Sequence, residues 1–145
     1  MNYAQLFGIA NLIALVTWAA LALARFVTPL RRFVDPAASY WVPALFAAGY
    51  VWLIAPGFVG VLQHNSFGSL AGVATLFADP RNLLAAWVHI LAFDLFVGGW
   101  IARKSAEENI SAFLVVPILL FTFMFGPGGY LTFMLVRLAM RKGAP

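Results

Sequence analysis

The chain has 145 residues, enough for one domain, and 63% of them are apolar while only 10% are charged. A soluble domain carries about 25% charged residues, so this chain has too little polar surface to cover itself in water, and its solvent is lipid. Net charge is +4, with the basic groups in the gaps between apolar runs. That pattern fits contact with the headgroups of membrane lipids and excludes a nucleic-acid partner, which needs a basic stripe interleaved with aromatics. The absence of cysteine removes disulfides, thiolate metal sites and a thiol nucleophile. No cleavable signal peptide is expected, because the first apolar run lacks a basic leader and is long enough to stay as an anchor.

A helix needs roughly 20 residues to cross about 30 Å of hydrocarbon, and four runs qualify. The first covers residues 5–27 and ends in the basic connector "TPLRRFVDP". The second covers 39–62, with Ser39 as its expected N-cap and Pro56-Gly57 near its far end, a pair that kinks or frays a helix. The segment "QHNSFGSLAGVATLFADP" reads as interfacial, with a short helix lying against the bundle. The third span covers 80–103; Asp79 can cap it and Pro80 can take its first position. The polar turn "RKSAEENIS" leads to the fourth, 112–136, which holds Pro117 and the interruption "GPGG" at 126–129. The runs are too long and continuous for barrel strands. The expected fold is therefore all-α: a single polytopic membrane domain, a four-helix bundle with its fourth helix kinked or broken at Gly126-Pro127.

Orientation hinges on that break. If the fourth span continues across, Arg25, Arg31, Arg32, Arg103 and Lys104 face one side, and Arg81, Arg137, Arg141 and Lys142 the other, a poor positive-inside signal. If "GPGG" turns the chain back, the tail joins the first side and leaves Arg81 alone. Continued crossing is the expected case, since neighbouring helices can satisfy freed carbonyls.

"WVHILAFDLF", residues 87–96, puts His89 and Asp94 inside the third span. On a helix they lie about 140° apart, so they do not pair along their own helix and each needs another partner. Two readings stand: interhelical hydrogen bonds that hold the bundle, or the lining of a ligand cavity, the default for an intramembrane acid. His64 and His89 are the only histidines. With one at a surface and one inside a span, they make a poor haem pair, and the donor set is thin for zinc; no metal or cofactor is expected. "TFMFGPGGYLTFM" is either a kink for close packing or a flat wall for a rigid planar ligand.

"ADPRNLLAAWVHILAFDLFVGGWI" followed by "VVPILLFTFMFGPGGYL" resembles the ABA4-like family. The pattern residues are Trp87, His89, Leu91, Phe93, Asp94 and Leu95, then Pro117, Gly126, Pro127 and Gly129. The resemblance implies carotenoid biology: plant members are plastid membrane proteins required to make neoxanthin from violaxanthin. The start of this chain, without a plastid transit peptide, points to a bacterial member in an inner or intracytoplasmic membrane. The implied ligand is a carotenoid, held by Trp87, Phe93, Phe96, Trp100, Gly126, Pro127 and Gly129. The implied chemistry, opening an epoxide to an allenic alcohol, is redox-neutral and needs one acid and one base: Asp94 and His89, provided both reach one cavity. Two other readings stay open: a noncatalytic accessory subunit of a larger membrane complex, photosynthetic in setting, and a transporter or lipid-modifying protein.

Overall fold

A computed structural model describes residues 2–58 and 67–142, with the side chains of Arg141 and Lys142 set aside. His64 lies outside the described residues. The described residues are helical throughout, with short connections. Helix α1 covers Tyr3–Phe26 and is capped by the Asn2 side chain. Helix α2, Thr28–Pro36, runs through a wide π-helical turn, Ala37–Trp41, into α3, Val42–Ile54, and ends in a tight 3-10 turn, Ala55–Gly57. Then come α4, Leu70–Ala78; α5, Pro80–Glu107; α6, Ala112–Phe125; and α7, Pro127–Lys142. Three of these stretches are long and apolar enough to cross a membrane: Tyr3–Phe26, Thr28–Gly57 and Pro80–Glu107.

The start of α5 follows the expected chemistry. Asp79 accepts hydrogen bonds from the Arg81 and Asn82 amides, and Pro80, whose missing N–H costs nothing there, stands first. Ser69 likewise caps α4 by accepting from the Gly72 amide, which makes the expected short helix.

The first connector takes its shape from its charges, and one expectation beside it, the Ser39 cap, is corrected. "TPLRRFVDP" is helical, because charged side chains bind it to the end of α1. Arg25, 3% exposed, pairs with Asp35 and donates to the Ala102 carbonyl of α5 at 2.7 Å. Arg31 donates to the Ala24 and Arg25 carbonyls at 3.0 and 2.7 Å. Ser39 is not an N-cap; it is buried inside the π-helical turn, and among the described residues its hydroxyl has no partner. The turn widens between Pro36 and Pro43, each of which lacks an amide, and the Val42 N–H reaches back five residues to Ala37.

The fourth span breaks at Gly126-Pro127 as expected, and there the chain turns back instead of running on. Helix α6 has 14 residues, about 21 Å of rise, shorter than the roughly 20 residues of a full span. Gly126 then adopts φ +46° and ψ −100°, a conformation that essentially only glycine reaches, and the chain reverses. Helix α7 runs back beside α6 and parallel to α5. Gly126 meets Asp94, Trp100 meets Tyr130 and Phe133 at 5.7 Å each, and Arg137 pairs with Glu108 at the far end of α5. That hydrogen-bonded carboxylate also pushes the Arg137 guanidinium above its ordinary pKa. The fold is three long apolar helices plus a helical hairpin whose two outer ends lie at the same end of the bundle. The tail thus shares an end with Arg25, Arg31, Arg32, Arg103 and Lys104, and Arg81 stands at the opposite end beside Gly57. This is a strong charge asymmetry between the two ends of the bundle.

Helix α5 is the axis of the bundle. Half of its most apolar window is buried, against 22% for α1 and for the α2–α3 stretch. It packs against α1, α3, α4, α6 and α7. Small residues let it do so: Gly98 leaves room for the Trp18 ring and Gly99 for Ser39.

Candidate functional site

The two ionisable groups of α5 point to different neighbours. His89 is exposed from the protein and packs between aromatic rings, 5.3 Å from Tyr50 of α3 and 4.7 Å from Phe93. It lines a groove of about 380 Å³ between α3, α4 and α5. The rest of the lining is mainly aromatic and aliphatic, with Tyr50, Phe58, Phe67, Phe77 and Ile90 among it. Asn82 adds a further polar group; its side-chain amide donates to the Leu76 carbonyl at 3.1 Å, which fixes α4 against α5, and among the described residues the amide oxygen has no partner. Asn82 and His89 are seven residues apart and share one helix face.

Asp94 is half-buried on the other side of α5. Its carboxylate lies against Gly126, so closely that a Cβ there would come within 2.5 Å of Oδ1. The Asp94 carboxyl group therefore sits where α6 ends and α7 begins. Among the described residues it has no hydrogen-bond or ion-pair partner. The structure does not bring His89 and Asp94 together: the body of α5 separates them, as their angular offset required. A one-cavity acid–base pair is not formed by these side chains.

The other residues singled out from the sequence divide the same way. Phe93 belongs with His89. Trp87 lies beside α1, where its indole N–H donates to Asn11 at 3.0 Å and its ring meets Phe7 at 5.7 Å. Phe96 is exposed on α5. Trp100, Gly126, Pro127 and Gly129 belong to the hairpin side: Trp100 packs on Tyr130 and Phe133, Pro127 opens α7, and Gly129 lies directly on the Thr122 backbone. Tyr50, Asn82 and the aromatic residues of α3 and α4 carry no motif of their own. The one sequence signal for Asn82 was its place seven residues before His89. Among the described residues, no cluster of three or more histidine, aspartate or glutamate side chains is poised to hold a metal ion.

Among the described residues, apolar helices around one central helix, with a broken-helix hairpin and an aromatic groove, define a small polytopic membrane protein. The family model described as "ABA4-like: ABA DEFICIENT 4-like" matches residues 5–133, and the chain belongs to that family. No curated protein matches, and no solved structure matches.

Proposed function

We propose that this ABA4-like protein binds a carotenoid through one oxygenated end ring, seated in the groove between α3, α4 and α5. The observation that carries the reading is the groove itself. It is apolar and aromatic, with two polar side chains, Asn82 and His89, aligned on one helix face. Small-molecule sites occupy roughly 300–1,000 Å³ and combine an apolar lining with a few placed polar groups. At about 380 Å³ this one takes the end of a long polyene and not its whole length. Asn82 lies near the start of α5, where a span meets the interface. A ring hydroxyl would donate to the free Asn82 oxygen there, while the polyene runs along α5 over His89 and Phe93 into the hydrocarbon.

The test is a titration of pigment-free protein in nanodiscs with a dihydroxylated carotenoid and with its hydrocarbon parent. Saturable binding of the hydroxylated pigment at one per chain is expected, with a shifted absorption band and weaker binding of the parent. Ala86→Trp, which fills the groove from α5, should abolish the saturable part. Equal pigment uptake by this variant and the unaltered chain would overturn the assignment.

A further inference from the structure

A second cavity lies at the basic end of the bundle, remote from the groove. Its volume is about 220 Å³, and Arg25, Arg31, Ser105, Asn109, Ala112 and Val115 are among its lining residues. We infer that it holds the phosphate of an anionic membrane lipid, with the acyl chains lying along α1 and α6.

The lining carries two guanidinium groups and one side-chain amide. All the donor nitrogens of Arg25 are engaged, to the Leu21 and Ala102 carbonyls and to Asp35, so Arg25 is a fixed part of the wall. Arg31 is different: Nε and one terminal nitrogen hold the end of α1, and the other terminal nitrogen has no partner among the described residues. The Asn109 side chain also has none, and its backbone is held at φ +53°, which turns the residue out of the end of α5. Helix α6 begins beside it. Ser111 stands at the N-cap without a side-chain capping bond, so the first amides of α6 remain available and the positive end of that helix adjoins the cavity. Two guanidinium groups and one Asp35 carboxylate leave a local excess of one positive charge.

The surroundings select a lipid over a free ion. This is the end where eight of the nine basic residues of the chain gather, which by the charge rule adjoins the anionic leaflet. Ile110 and Val115 form an apolar floor. The Phe26 and Phe113 rings, 5.5 Å apart and both exposed, bridge α1 and α6 beside the cavity, where acyl chains would lie. An anionic headgroup can therefore meet Arg31, Asn109 and the α6 terminus while its tails stay in hydrocarbon.

The experiment is native mass spectrometry of the full chain released from nanodiscs containing equal phosphatidylglycerol and phosphatidylcholine, repeated with excess inorganic phosphate. One retained phosphatidylglycerol per chain is expected, undisturbed by inorganic phosphate. Arg31→Gln should lower its retention about tenfold or more, the effect of losing a hydrogen bond to a charged group. Asn109→Gly keeps the backbone conformation and removes only the amide, so it should weaken retention without loss of helicity. Arg32→Gln, the same charge loss one residue away on an exposed side chain, should leave retention unchanged. Equal loss in Arg31→Gln and Arg32→Gln would reduce the effect to diffuse surface charge, and displacement by inorganic phosphate would make the cavity a free-anion site. Either result, or no preference for phosphatidylglycerol, overturns the inference.

Discussion

The two sides of α5 are built by opposite rules. On the hairpin side, glycines allow close contact: Gly129 lies on the Thr122 backbone and Gly126 on the Asp94 side chain. On the groove side, α4 stands off and large rings line the space between. Absent side chains make the first region a joint, and present ones make the second an open groove. An ionisable residue on each side has correspondingly different work. Asp94 sits against the helix break at Gly126; His89 sits among rings beside the groove.

The sharpest way to break this comparison is to ask whether the joint exists. The chain has no cysteine, so single cysteines report without background. Asn109→Cys and Met140→Cys in oriented vesicles should react with an impermeant thiol reagent from the same side, because Arg137 closes onto Glu108. Reaction from opposite sides would mean that α7 crosses and that the hairpin is absent.

Next in size are the glycines. Gly129→Leu drives a side chain into the Thr122 backbone and should prevent the hairpin from closing, which appears as loss of a folded monomer in thermal unfolding. Gly126→Ala meets two obstacles, a left-handed backbone and the Asp94 carboxylate. The backbone part alone costs about 1–3 kcal/mol. Adding Asp94→Ala should restore only the part due to the carboxylate; full restoration would show that the turn itself is unstrained. The smallest effect is expected at Asn11→Leu, which removes the acceptor for the Trp87 indole. Interhelical hydrogen bonds in membranes average about 0.6 kcal/mol, so the unfolding midpoint should move little and pigment binding not at all.

What the sequence made legible was local. Asp79 before Pro80 marks the start of α5 because capping and a missing amide act within one turn. The angular separation of His89 and Asp94 follows from helix geometry alone, and their opposite environments follow from it. "GPGG" announces a break. It does not announce its direction, because the return of α7 depends on Arg137 finding Glu108, 29 residues away, and on Tyr130 and Phe133 finding Trp100. The connector after α1 hid its helix for the same reason: its arginines look like headgroup ligands until Arg25 is seen to pair with Asp35 and to reach Ala102, 77 residues on. The groove was illegible because α4 carries no polar residue that marks it; its position depends on one Asn82 amide and on apolar contact.

The central claim is that ligand binding belongs to the His89 side of α5 and architecture to the Asp94 side. The direct test measures bound carotenoid per folded chain for His89→Leu and Asp94→Asn, purified and titrated in parallel. The account predicts that His89→Leu loses saturable pigment binding while remaining folded, and that Asp94→Asn binds as the unaltered chain does. Loss of pigment in Asp94→Asn with retention in His89→Leu would contradict it and move the site to the hairpin.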